Sequence, residues 1–204
     1  MIGLLAALLG VVPSPAHALA RDSTVYVLSP ETQVDVHVGR SGMLRFLGHE
    51  HLIRARGVTG RIVYYPGAPT ASRVAITVAA PSLEVLTPPD STEIRQVTEV
   101  MRSQVLAVTR YPEITFASRE VTPIAGGYRV RGVLSIVGVS RDVTVDVAVA
   151  IQADALRATA SFAIKQRDYA IEPVRAGGGT VRVADRVAID CVIVAVRERA
   201  ERGG

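Results

Sequence analysis

Residues 143–149 read Val-Thr-Val-Asp-Val-Ala-Val, with a valine at every second position. Successive side chains of a β-strand point to opposite faces, so this alternation predicts a strand with one buried side and one solvent-facing side. The same period recurs at residues 34–38 and in about ten segments between Val25 and Val196. Strands with one wet face are typical of antiparallel sheets. The sequence therefore predicts an all-β protein with antiparallel pairing.

Short runs of turn-forming residues separate the predicted strands. They are Gly39-Arg40-Ser41-Gly42, Pro66-Gly67, Gly126-Gly127 and Gly177-Gly178-Gly179. No change of composition divides the strands into groups, so we expect one domain over residues 21–196. A sheet of this many strands usually curls or closes, which leaves a barrel and a sandwich as candidate architectures.

One segment has a helical period instead. Asp90 can cap the N-terminus of a helix, with Glu93 three residues on. Pro112 requires the helix to end before it, because the residue that precedes a proline disfavours the helical conformation. Apolar residues recur at spacings of three and four between these limits: Ile94, Val97, Met101, Val105 and Val108. The pattern predicts one amphipathic helix over about residues 91–105, with its apolar stripe packed on the sheet.

The first 20 residues are typical of a secretory signal peptide. An apolar run over residues 2–12 is followed by Pro13-Ser14-Pro15 and by an A-x-A cleavage pattern at Ala18-Leu19-Ala20. The run is shorter than the ~20 apolar residues that a membrane span needs. We therefore expect a mature protein that does not span the membrane and is periplasmic or secreted.

Charge and cysteine content exclude several classes of protein. The formal net charge is +4 and no run of five or six like charges is present, so we expect no nucleic-acid binding. Cys191 is the only cysteine, so it cannot form an internal disulfide, and its place in an apolar strand predicts a small buried side chain. Residues 197–204 carry Arg and Glu and end in two glycines, which predicts a flexible charged tail.

The sequence lacks the motifs of common enzyme classes. It has no G-x-S-x-G nucleophile elbow, no P-loop and no G-x-G-x-x-G after a predicted strand. Gly177-Gly178-Gly179 lacks the lysine or helix start of a phosphate-binding loop. Asp168, next to Arg167, is more typical of an ion pair than of a catalytic carboxylate. The sequence therefore predicts a protein that is not an enzyme.

Two histidines, His49 and His51, would lie on the same side of a strand, as zinc ligands can. A metal usually needs a third and a fourth protein ligand. If the chain turned at residues 39–42, His37 would pair near Leu44, ~17 Å from His49 at the usual strand rise. We therefore expect no metal and no cofactor, and keep a metal- or haem-linked redox accessory role for His49 and His51 as an alternative.

Five short motifs follow one another along the predicted strands and helix. They are Phe46-Leu47-Gly48-His49, Met101-Arg102-Ser103, Tyr111-Pro112-Glu113-Ile114-Thr115-Phe116, Tyr128 through Ser140, and Ile164-Lys165-Gln166-Arg167-Asp168-Tyr169. In order and spacing they resemble the YceI-like family of lipid- and polyisoprenoid-binding proteins, over nearly the whole chain after the leader. The resemblance implies an extended lipocalin-like antiparallel β-barrel in a periplasmic protein, with a long apolar chain held inside.

By motif position, the resemblance also implies which residues bind the ligand. The residues expected to line the cavity are Phe46, Met101, Leu106, Phe116, Phe162 and Tyr169, and those expected at a polar head are His49 and Arg102. The predicted function is non-enzymatic binding of a hydrophobic small molecule, a polyisoprenoid or an acyl-chain lipid. A second alternative is an envelope-stress interaction protein whose barrel is filled by side chains and holds no ligand. A homodimer is compatible with the sequence.

Overall fold

Twelve β-strands and one α-helix make up the part of the chain that a computed structural model describes, residues 23–41, 50–87, 90–176 and 181–199. The strands are β1 (Thr24–Leu28), β2 (Gln33–Ser41), β3 (His51–Ala55), β4 (Val58–Tyr64), β5 (Arg73–Ala79), β6 (Leu83–Val85), β7 (Glu113–Ile124), β8 (Gly127–Ile136), β9 (Val139–Gln152), β10 (Ala155–Lys165), β11 (Arg175–Ala176) and β12 (Val181–Arg197). The helix, α1 (Ser91–Val100), lies between β6 and β7 in the chain. The predicted leader, residues 1–20, lies outside the described residues.

Three pairs of consecutive strands each act as one long bent strand. β1 and β2 run in the same direction along β12, with Leu28 opposite Ala195 and Gln33 opposite Val192. β3 and β4 continue each other beside β2 and β1, and β5 and β6 continue each other beside β4 and β3. Within the described residues, the ring β1-β4-β5-β7-β8-β9-β10-β12 closes where β12 pairs with β1. The result is a closed antiparallel barrel of eight strands, which confirms the predicted all-β barrel.

The alternation that predicted the strands separates the inside of the barrel from the outside. On β9, Val145 is buried, whereas Asp146 is exposed and forms an ion pair with Arg129 on β8, with Nε 2.7 Å from Oδ1. Inward residues form two clusters of buried side chains, one towards each end of the bore. We call the end that carries α1 the upper end, and the end where β4 finishes and β8 begins the lower end.

The helix begins and ends close to the predicted bounds. The Asp90 carboxylate accepts hydrogen bonds from the backbone N–H groups of Thr92 and Glu93, which caps the N-terminus. After Val100 the chain continues as one π-helical turn, residues 101–105, and the Leu106 N–H donates to the Met101 carbonyl at 2.9 Å. A single π turn adds one residue to the helical repeat and is often found at functional sites.

The sequence predicts a turn at residues 39–42. This prediction is wrong for residues 39–41, because β2 continues through Ser41. Arg40 and Ser41 still pair with Val183 and Arg182 of β12, and this ladder outweighs the local turn preference. His37 therefore lies opposite Leu52 rather than near Leu44. At the other end of the chain, β12 runs through Arg197, and residues 200–204 of the predicted tail lie outside the described residues.

Two glycines explain why aromatic and glycine motifs occur together in the sequence. The Phe116 ring lies against Gly132 on the neighbouring strand, where an added Cβ would come within 2.6 Å of Phe116 Cζ. At the upper end, a Cβ on Gly138 would lie 2.8 Å from the Tyr111 ring, and Gly138 has a φ of 77°. Both positions therefore require glycine, one for close approach and one also for its backbone conformation.

Candidate ligand-binding cavity

A cavity of about 320 Å³ runs along the bore of the barrel. This volume lies within the range of roughly 300–1,000 Å³ that is typical of small-molecule sites. Most of the side chains that line it are aliphatic, and none of the described lining residues carries a charge. The polar side chains among them are Tyr64, Ser72, Thr115, Tyr128, Thr159 and Gln166. The wall is therefore suited to an uncharged, mainly hydrocarbon ligand.

The composition explains why the bore is not filled by side chains. The interior of an eight-strand barrel is just wide enough for side chains to fill it. Here the inward positions are mostly valine, alanine and isoleucine, and the chain has no tryptophan and three phenylalanines. Short β-branched side chains favour the strand conformation but do not reach far enough to fill the axis of the bore.

Four of the predicted lining residues do lie on the cavity. Met101 and Leu106 reach it from the π turn and the residue after it, Phe116 from β7 and Phe162 from β10. The π turn brings Met101 and Leu106, five residues apart, to the same cavity. Their contact with a ligand remains a prediction.

The other predicted site residues lie elsewhere. Arg102 donates from Nη2 to the Leu83 carbonyl at 3.2 Å, which ties the π turn to β6, and it does not line the cavity. Tyr169 is 1% exposed and packs in the upper core cluster rather than on the cavity wall. Phe46 and His49 lie outside the described residues. The structure therefore brings together the apolar part of the predicted site.

Buried polar atoms without partners lie beside the upper end. Neither the Tyr169 hydroxyl nor Arg102 Nε has a hydrogen-bond partner within the described parts of the chain. Burial raises the pKa of Tyr169 above its ordinary value, so the hydroxyl stays protonated. An unsatisfied buried hydroxyl costs about 1–3 kcal/mol of stability.

We therefore expect Tyr169→Phe to stabilise the protein. The ring keeps its packing and the unpaired oxygen is removed, so the free energy of unfolding should rise by about 1 kcal/mol. Urea unfolding followed by circular dichroism measures it, with Tyr65→Phe as the control at a half-buried tyrosine. A loss of stability in Tyr169→Phe alone would show that the hydroxyl has a partner.

The lower end contains residues that the sequence analysis missed. The hydroxyl oxygens of Tyr64 and Tyr128 lie 3.3 Å apart, and both side chains line the cavity. The hydrogen bond to Tyr64, together with burial, raises the pKa of Tyr128 to about 12. The sequence offered one signal for Tyr64. It lies two residues after the buried Ile62 on β4, and residues two apart on a strand share a face, so Tyr64 points inward.

Charged side chains are paired on the outer face of the barrel. Arg54 donates from Nε and Nη2 to the Asp35 carboxylate, at 2.7 Å each, and this guanidinium holds the pKa of Asp35 below its usual value. Arg131 on β8 also pairs with Glu120 on the neighbouring β7, and Arg119 on β7 reaches across β8 to Asp142 on β9. In each of these pairs an arginine neutralises a carboxylate on the outer face of the barrel.

The candidate metal ligands among the described residues are dispersed. They contain no group of three or more His, Cys, Asp or Glu side chains that could hold an ion. His51 Nδ1 donates to the Thr87 carbonyl at 2.9 Å, and His37 Nε2 lies 3.0 Å from Asp190 Oδ2. Burial raises the pKa of Cys191 to about 11, so its thiol is not ionised at neutral pH.

Comparison with protein families identifies the barrel. The model of the YceI-like domain matches residues 29–195, most of the chain. The chain belongs to the YceI-like family. No curated protein matches it in sequence.

Several solved structures have the same fold. BcnA of Burkholderia cenocepacia is 20% identical, with a TM-score of 0.65 over 83% of this chain and 99% of that one. A polyisoprenoid binding domain from Saccharophagus degradans, implicated in plant cell wall breakdown, is 14% identical, with a TM-score of 0.59 over 86% and 99%. The Campylobacter jejuni YceI protein is 17% identical, with a TM-score of 0.56 over 72% and 85%.

Among the described residues, no helix is both long and apolar enough to cross a membrane.

Proposed function

We propose that this YceI-like protein binds one long apolar chain, a polyisoprenoid or an acyl-chain lipid, in the bore of its barrel and catalyses no reaction on it. The observation that carries the proposal is the wall of the cavity, which is aliphatic along its length and has no charged side chain among the described residues. Such a wall offers a large apolar surface and few groups that could attack or protonate a ligand.

The energetics of such a site are favourable. Burying one methylene contributes ~0.8 kcal/mol, so ten enclosed methylenes contribute ~8 kcal/mol before the cost of ordering the ligand is subtracted. The Saccharophagus degradans relative is described as a polyisoprenoid binding domain, which supports an isoprenoid as one class of ligand. An acyl chain has the same hydrocarbon character and stays within the proposal.

We further propose that the protein acts outside the cytoplasm, because residues 1–20 have the pattern of a secretory leader. Protein isolated from the periplasm of an expressing bacterium should have lost these residues and begin at Arg21. The intact mass of the isolated protein measures this. A chain that keeps residues 1–20 and stays in the cytoplasmic fraction would contradict the location.

A direct binding experiment tests the function. A fluorescent fatty-acid analogue, whose emission rises in an apolar site, should bind the purified protein saturably at one site, and unlabelled polyprenol or long-chain fatty acid should displace it. If no saturable site is found at any accessible concentration, the proposal fails. The protein would then be better described as an interaction protein without a ligand.

A further inference from the structure

The lower end of the bore is crossed by two tyrosines from distant strands. Tyr64 ends β4 and Tyr128 is near the start of β8, and β5 and β7 lie between these strands in the ring. Their hydroxyl oxygens are nevertheless 3.3 Å apart, so the two side chains extend across the bore until they meet. We call this pair the tyrosine bar.

On β9 the cavity ends one inward position below this bar. Val147 is opposite Tyr128 and lines the cavity, as does Val149 two residues further down β9. Ile151, the next residue on the same face of β9, is 36% exposed and does not line the cavity. Solvent therefore reaches the inner face of β9 at Ile151, whereas Leu156, opposite Ile151 on β10, is buried and still lines the cavity.

The bar also defines the length of the bore. β8 rises about 27 Å between Tyr128 and Ile136 at the usual strand spacing. With the ordinary tilt of barrel strands, this distance is about 20 Å along the barrel axis. Tyr128 and Ile136 both line the cavity, at its lower and upper ends.

We propose that the tyrosine bar is the floor of the binding site and sets the longest apolar chain that the bore can enclose. The inference rests on the proposed function, because it concerns the far end of the same cavity. Each methylene that enters the bore increases affinity about fourfold, which is about 0.8 kcal/mol. Once the tip of the chain meets the bar, further methylenes stay outside the bore and the gain stops.

The hydrogen bond between the two hydroxyls holds the bar in place. The hydrogen bond to Tyr64, together with burial, raises the pKa of Tyr128 to about 12, so the Tyr128 hydroxyl keeps its proton even in mildly alkaline solution. Removing both phenol rings would join the cavity to the solvent below it. A longer chain could then pass through the lower end of the barrel.

A length series tests the floor. The probes are straight-chain saturated fatty acids of about 8 to about 24 carbons, whose affinities are measured by displacement of the fluorescent analogue. For the wild type, affinity should rise with length and then level off at a break. In the double variant Tyr64→Ala/Tyr128→Ala, the break should move to longer chains. Tyr65→Ala is the matched control, because Tyr65 is the next residue along the chain and does not line the cavity.

A second variant keeps the test decisive if the double variant does not fold. Val147→Phe adds a ring directly beside Tyr128, which raises the floor, so the break should move to shorter chains. A break that stays at the wild-type length in the folded variants would overturn the floor and leave the proposed function intact. Absence of binding by the wild type at every length would instead overturn the proposed function itself.

Discussion

Ala158→Phe should reduce the affinity for an apolar chain at least about 100-fold and leave the barrel folded. Ala158 is 5% exposed, lies on the inner face of β10 and lines the cavity. A phenyl ring at this position occupies the bore in the space of about four methylenes, and losing them costs about 3 kcal/mol of binding free energy. The cavity gives the ring somewhere to go, so the overpacking that usually accompanies a larger core residue is relieved.

The matched control is Ala150→Phe. Ala150 lies on the neighbouring strand but is exposed on the outer face, opposite Arg157. The same ring added there should leave the affinity for the fluorescent fatty-acid analogue within about twofold of the wild type. Equal binding by Ala158→Phe and the wild type, with both proteins folded by circular dichroism, would mean that the ligand does not occupy the bore.

Gly132→Ala should lower the free energy of unfolding by about 3 kcal/mol, which corresponds to a fall in Tm of roughly 6–12 °C for a chain of this size. The new Cβ would lie 2.5 Å from the Ala117 carbonyl oxygen and 2.6 Å from Phe116 Cζ. β7 and β8 pair without interruption from Thr115 opposite Ser135 to Ser118 opposite Gly132, so the strands have little freedom to separate beside the new Cβ.

Two further variants show whether the aromatic contact is the cause. Gly67→Ala is the control, because nothing lies within 4 Å of a Cβ added at Gly67. Adding Phe116→Leu to Gly132→Ala should recover part of the lost stability, because the clash with the ring is removed and the two effects are then not additive. Thermal unfolding of the wild type, Gly132→Ala, Phe116→Leu and the double variant measures the coupling. Full additivity of the two substitutions would contradict the proposed contact.

The fold was predictable from the sequence wherever the spacing of apolar residues follows the period of a strand or of a helix. The valines of residues 143–149 alternate because one side of β9 faces the bore, and the Asp90 cap and the apolar spacing after it reflect a helix with one packed face. Local turn chemistry was less reliable. β2 continues to Ser41 because its last residues still pair with β12, and no short-range pattern in the sequence contains that information.

The site was predictable only in its apolar part. Met101 and Phe116, which were expected on the cavity from their motif positions, do line it. The tyrosine bar joins residues 64 positions apart, and it depends on the order of the strands around the ring, which alternation does not reveal. An inward apolar residue also has the same pattern in a filled core and in a hollow one, so the cavity itself required the three-dimensional arrangement.

Native mass spectrometry of the mature protein, expressed with its own leader and purified from the periplasm without detergent, tests the apolar-ligand proposal most directly. A second mass above that of the bare chain should be present, and extraction should recover a polyisoprenoid or fatty-acyl compound that matches the difference. The Ala158→Phe variant, prepared in the same way, should carry none of it. A wild-type protein that has only the bare mass, and that takes up no added polyprenol or fatty acid, would contradict the proposal that the bore is a binding site.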